Sequence, residues 1–144
     1  GRGPAVAQGL PGTALEEGYT AVEELTRFTD IYQTVEVKGW AFLPTDQDNA
    51  GKTLALYFRS EGGACYQLTP EICDRWDVKK AYDQEGAQGV RHGFLARFSP
   101  LSMKNGVYRL YIQDVENDAV EGLLDTGVDY EKTDREFKVL VQPS

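Results

Sequence analysis

The chain has 144 residues, 41% of them hydrophobic and 26% charged, with a formal net charge of −8. That length suits one domain whose folding removes roughly two-thirds of the unfolded surface from water, and the composition is too apolar for a disordered chain. The acidic balance repels phosphate backbones and anionic headgroups, so nucleic acid is not an expected partner, and no run approaches the about 18 apolar residues of a membrane-spanning helix.

Residues 1–18 are rich in Gly, Pro and Ala and read as an arm or linker ahead of a single domain over 19–144. The start Gly1-Arg2-Gly3, without Met, is expected of a segment trimmed of a signal peptide or of neighbouring domains. Within Tyr19–Phe28, Val22, Leu25 and Phe28 are spaced by three, which fits a short helix or an irregular strand. In Asp30–Leu43 the residues Ile31, Val35 and Val37 share a parity. The phase then shifts near Gly39 to Trp40 and Phe42, as a β-bulge would shift it. Pro44–Gly51 is a polar turn cluster. Leu54, Leu56 and Phe58 alternate with Ala55, Tyr57 and Arg59 as a strand with one half-polar face, and Cys65–Leu68 is its hairpin partner across Glu61-Gly62-Gly63.

The strand pattern lapses over Thr69–Gly89. Thr69-Pro70 resembles a helix cap, Thr69–Cys73 reads as a turn and Val78–Tyr82 as one helical turn, with Gly86 and Gly89 in a following loop. Alternation returns with Phe94, Ala96 and Phe98, halted by Ser99-Pro100. After the turn at Lys104-Asn105-Gly106 it resumes in Tyr108, Leu110 and Ile112. Asp114–Asp118 reads as an acidic connection, and Phe137, Val139 and Val141 form a last strand. The expected fold is all-β: an antiparallel β-sandwich, immunoglobulin-like or jelly-roll-like, with about seven strands and at most one or two short helical turns.

Five short motifs carry a resemblance. They are Gly39-Trp40-Ala41-Phe42 before an acidic turn, Leu54–Phe58, Arg75-Trp76-Asp77-Val78, Gly93-Phe94, and Gly106-Val107-Tyr108-Arg109-Leu110. Together, over roughly residues 35–115, they resemble β-sandwich accessory modules of bacterial cell-envelope proteins, among them membrane-bound polysaccharide glycosyltransferases and predicted lipoproteins. The resemblance implies an extracytoplasmic accessory domain and supplies no catalytic residues.

Several chemistries lack their residues. Zinc needs about four ligands, and His92 is the only histidine, expected as an exposed polar residue at a strand start. There is no Gly-x-Ser-x-Gly elbow and no phosphate-cradling Gly-rich loop, so no catalytic residue and no cofactor is assigned. A carboxylate pair for glycan processing stays open, because 23 acidic residues always permit some pair. Asp46 and Asp48 begin like a calcium loop, but Ala50 replaces a ligand and Tyr57 stands where the bidentate Glu belongs. Asp114–Asp118 is a second group of oxygen donors. A bridge between Cys65 and Cys73 would close a short loop outside the cytoplasm; two buried free thiols are the alternative.

Trp40, Tyr57, Tyr66, Trp76 and Tyr111 could present an aromatic face to a sugar, with Trp40 assigned to the core and Trp76, among charged residues, to the surface. Arg75 and Asp77 point the same way in an extended stretch and are expected to fix a loop through backbone carbonyls and amides. The leading expectation is a noncatalytic interaction or spacer module partnered by an envelope protein or a glycan. The alternatives are a carbohydrate-binding module built on Trp76, Arg75, Asp77 and Tyr57, and a small glycan-processing enzyme.

Overall fold

The computed structural model describes residues 3–15, 18–25, 30–44, 51–116 and 119–141. Its strands are β1 (Ala5–Val6), β2 (Ala14–Leu15), β3 (Tyr19–Leu25), β4 (Val35–Phe42), β5 (Lys52–Ser60), β6 (Cys65–Leu68) and β7 (Glu71–Cys73). A short helix, α1 (Trp76–Ala81), and a 3-10 turn at Asp83–Glu85 follow, then β8 (Gly93–Phe98), β9 (Gly106–Glu116), β10 (Ala119–Lys132) and β11 (Phe137–Val141). Two sheets form: one in the order β1-β6-β5-β9-β10-β11 with β2 beside β10, the other in the order β3-β4-β8-β7. Pairing is antiparallel except between β2 and β10.

The main core lies between the sheets. Leu54, Leu56 and Phe58 of β5 and Tyr108, Leu110 and Ile112 of β9 face Val35, Val37 and Ala41 of β4 and Phe94, Ala96 and Phe98 of β8. Phe58 meets Phe98 across the interface with ring centroids 5.2 Å apart. The all-β sandwich expected from strand periodicity is the fold observed, with short helical structure among the described residues confined to α1 and the 3-10 turn.

Among the described residues eleven strands replace the expected seven or so, for identifiable reasons. β1 and β2 are two-residue pieces of the N-terminal arm, which lies along the larger sheet and borrows its order from β6 and β10. β7 occupies part of the stretch read as a turn, so Thr69-Pro70 caps no helix. β10 has a weak strand signal because Gly122, Gly127 and the scattered acids Glu121, Asp125, Asp129 and Glu131 interrupt its apolar pattern, and its register against β9 shifts twice. The acidic Asp114–Asp118 stretch is no simple loop either, since Asp114 is a buried member of β9.

The apparent phase shift at Gly39 has a different origin. The alternation of β4 continues unbroken: Val35, Val37 and Ala41 face the main core, while Trp40 and Phe42 face outward and are buried under Val78 and Ala87. Both faces of the strand are apolar here because α1 covers the outer one. The bulge itself is on the neighbour β3, where Val22 pairs with Gly39 and Glu24 with Lys38, leaving Glu23 as the extra residue. Gly39 serves this neighbour: a Cβ at position 39 would lie 2.1 Å from the Ala21 carbonyl oxygen.

The outer face of the larger sheet is covered in the same way. Ala55, Tyr57, Cys65 and Leu123 form an outer cluster under Ala7 and Leu10 of the arm, and the Ala7 N–H donates to the Cys65 carbonyl at 2.9 Å. The expected half-polar face of β5 is therefore largely apolar. Cys65 and Cys73 lie in different sheets and are both free, Cys65 buried and Cys73 half-buried, so the bridge is corrected to two separate thiols. Burial pushes the Cys65 thiol up and keeps it protonated.

Two outcomes follow from this packing. Gly39→Ala should lower unfolding free energy in urea by about 3 kcal/mol, because the clash is with backbone and cannot be relieved by a rotamer change. Thiol labelling of the native protein should modify Cys73 first and reach Cys65 only on unfolding, with both labelled in denaturant without reductant. A chain that takes up no label there would restore the bridge.

Candidate functional site

α1 has only six residues, too short to hold itself together, and its stability comes from what it buries. Val78 plugs into the outer face of the smaller sheet beside Trp40 and Phe42, with Tyr19 and Tyr82 at the margin. The Tyr19 and Phe42 rings stack 4.9 Å apart, and Trp40 and Tyr82 lie 5.0 Å apart. An aromatic layer thus anchors the helix on β4, and Trp40 is core as expected, at 7% exposure. Trp76 at the first position of the helix points the other way and is 72% exposed.

Arg75 immediately precedes Trp76 and holds the helix start to β3. Its Nε and Nη2 donate to the two carboxylate oxygens of Asp77 at 2.9 and 2.7 Å, and its Nη1 and Nη2 to those of Glu23 at 2.5 and 3.1 Å. The bonds of Arg75 run to side-chain carboxylates and not to the expected backbone carbonyls, while the Asp77 carboxylate also accepts from backbone N–H groups at Asp77 and Val78, as the Arg-x-Asp spacing suggests. The planar fork matches a carboxylate on each side, which a lysine could not reproduce. Glu23 reaches the fork because it is the bulged residue of β3. Gly93 leaves room for the arginine stem: a Cβ there would lie 2.7 Å from Arg75 Cγ.

Hydrogen bonding to the Arg75 guanidinium holds the Asp77 carboxyl down at about 2, and the two carboxylates raise the Arg75 guanidinium further above its usual value. Asp77 is consequently a fixed anion at neutral pH and no proton donor. The surface group is an exposed indole, carried on an anchored helix start, beside the Arg75 guanidinium and its two carboxylates.

Tyr57 does not join it. It belongs to β5 in the other sheet, is 7% exposed under the N-terminal arm, and has its hydroxyl pKa raised by burial. Tyr66 is also buried, where its hydroxyl accepts from the Lys104 N–H at 2.9 Å, and Tyr111 packs at the edge of the cluster over β5. A multi-ring platform spanning Trp76 and Tyr57 is therefore corrected to Trp76 alone. Asp46 and Asp48 lie outside the described residues. Among the described residues no group of three or more His, Cys, Asp or Glu side chains is placed to hold a metal ion.

A second constellation lies inside the protein. His92, expected at the surface, is fully buried, as are Lys52 and Asp114. Lys52 Nζ donates to the Ala41 carbonyl at 2.8 Å and lies 2.9 Å from His92 Nδ1 and 3.3 Å from Asp114 Oδ2. His92 is drawn inward by its backbone: its N–H donates to Val90 O at 2.8 Å, and its carbonyl accepts from the Ala41 N–H at 2.9 Å. The signal for Lys52 and Asp114 was parity. Lys52 is in step with Leu54, Leu56 and Phe58, and Asp114 with Tyr108, Leu110 and Ile112, so both extend inward-facing rows.

A third charged group, on the outer face of the larger sheet, is likewise saturated. Arg109 donates through Nε to Asp129 at 2.6 Å and through Nη1 to both oxygens of Asp125 at 3.0 and 3.1 Å. These aspartates are brought together by the register shift of β10 around Gly127, whose φ is 74°. The chain matches no protein-family model, no curated protein and no solved structure.

The Arg75 fork predicts a specific acid response. The carboxyl pKa of Asp77 falls from 3.8 to about 2 on folding, so its contribution to the native state is complete above about 4 and lost as pH falls toward 2. Carbon-detected NMR titration should place the Asp77 midpoint near 2, and Arg75→Gln should return it to the ordinary carboxylate range.

Proposed function

We propose that the domain is a noncatalytic interaction module of an extracytoplasmic, envelope-associated bacterial protein, and that its point of contact is Trp76 with the carboxylates on either side of it. The observation that carries this reading is the contrast between the two tryptophans. Trp40 is spent on the core, while Trp76, on a helix pinned by Arg75 and by the aromatic layer, leaves most of its indole in water. Exposing a large aromatic side chain costs stability, and holding it rigid lowers the entropy lost on binding.

Two considerations support a noncatalytic role. The Lys52, His92 and Asp114 group is closed to solvent and out of reach of a substrate. Glu23 and Asp77 share Arg75, and Asp125 and Asp129 share Arg109, so neither pair offers the free acid and base that glycan hydrolysis needs. The envelope placement rests on the resemblance carried over roughly residues 35–115.

A glycan is the contact's best chemical match. The exposed indole face stacks on the apolar C–H face of a sugar ring, and the neighbouring carboxylates accept hydrogen bonds from its hydroxyls. A single ring gives a weak site, so affinity would come from several copies or from an extended polymer.

The test is titration of bacterial envelope oligosaccharides into the wild-type protein and Trp76→Ala, read by calorimetry. The substitution should weaken binding by about 2 kcal/mol, roughly 30-fold, while shifting stability by no more than about 0.5 kcal/mol. Equal binding by the variant overturns the assignment of Trp76, and an oligosaccharide panel with no binder leaves a spacer role without a glycan ligand.

A further inference from the structure

We propose that Lys52 and Asp114 join through an intramolecular amide bond between Lys52 Nζ and Asp114 Cγ, formed by the protein itself, with His92 carrying the protons. The inference is independent of the Trp76 reading and rests on the buried group at one end of the sandwich.

The two residues stand on adjacent antiparallel strands. Lys52 pairs with Glu116 and Leu54 with Asp114, so Lys52 and Asp114 are diagonal neighbours on the inward face. Strand pairing thus holds the amine nitrogen 3.3 Å from a carboxylate oxygen that is bonded to the carbon it would attack, so the two reacting groups are held together before reaction. Both side chains have zero exposure, so water does not compete for either reacting group.

His92 is oriented for proton transfer. Its Nε2 lies 3.1 Å from the Gly89 carbonyl oxygen, which can only accept, so Nε2 carries the proton and Nδ1 faces Lys52 Nζ as an acceptor at 2.9 Å. Gly89 makes the turn that presents this carbonyl, with φ of 70°. The Phe42 ring, 5.4 Å from the imidazole, closes that side of the site.

The reaction balances without another reagent. Nζ releases a proton to Nδ1, and its lone pair attacks Cγ to form a tetrahedral intermediate. One carboxylate oxygen then leaves as water. Of the three ammonium protons, two depart in that water and one stays on the amide nitrogen, while His92 ends in the form in which it began. Nothing is oxidised or reduced. The product N–H keeps the Ala41 carbonyl, now 2.8 Å from Nζ, as its acceptor. Replacing two buried charges by one neutral amide also removes the desolvation cost of a buried ion pair.

Intact-mass measurement of the full chain under denaturing conditions tests this, after cooperative melting has shown the sample to be folded. The wild-type chain should be lighter than its sequence by one water, and a peptide digest should yield one branched species containing both Lys52 and Asp114. Lys52→Arg should have its full sequence mass. Asp114→Asn should be lighter by one ammonia, because the same attack on an amide expels ammonia, and His92→Gln should be largely unreacted. A folded wild-type chain at full sequence mass overturns the proposal. So does a water loss that persists in Lys52→Arg or maps to another residue. Complete reaction of His92→Gln would remove the histidine from the mechanism.

Discussion

An ammonium and a carboxylate facing each other out of reach of water constrain this fold more than any other contact. A buried charge needs partners, and removing either member of such a pair typically costs about 3 to 5 kcal/mol. Lys52 and Asp114 belong to β5 and β9, and Lys52 also bonds the Ala41 carbonyl in β4, in the opposite sheet. The group therefore ties the two layers of the sandwich together at one end. It also fixes register, since a one-residue slip between β5 and β9 would turn one charge outward and leave the other buried alone. Away from that end the layers are held by ordinary apolar packing, with rings such as Phe58, Phe98, Tyr130 and Phe137 in mutual contact.

Both sheets also bury part of their outer faces, and this positions the surface site. The arm covers Ala55, Tyr57 and Cys65 on the larger sheet, while α1 covers Trp40 and Phe42 on the smaller one. A helix of six residues survives because Val78 and the aromatic rings beneath it supply the contacts that its own hydrogen bonds cannot. Once so fixed, the helix turns Trp76 outward. The bulge on β3 brings Glu23 to the same point, and its close approach to β4 requires a residue without a side chain at position 39. The anchoring of the helix start that carries Trp76 thus depends on a glycine in a neighbouring strand.

Residue type and alternation made the strands with a clean apolar row legible. β4, β5, β6, β8, β9 and β11 stand where the pattern predicts, and so does the helical tendency near Val78. The irregular stretch carrying Arg75, Trp76 and Asp77 was recognisable because it interrupts that pattern. Glu23 was not, since a bulge that re-aims one carboxylate leaves no mark in composition. Tyr57 and His92 were misplaced for a shared reason: what buries each lies far away in sequence. Ala7 and Leu10 lie by Tyr57, and Lys52, together with Phe42, lies by His92.

The sequence by itself determined that the chain is acidic, that it forms a sandwich of short strands, and that Trp76 sits in a charged, irregular segment. Periodicity carries this information because the two faces of a strand meet different environments every second residue. Only the tertiary structure decided which outer faces are covered, which carboxylates share an arginine, and that the single histidine meets a buried lysine that in turn meets an aspartate. Those outcomes depend on segments well separated in sequence arriving at one place, and local propensity says nothing about which distant surface will lie on top.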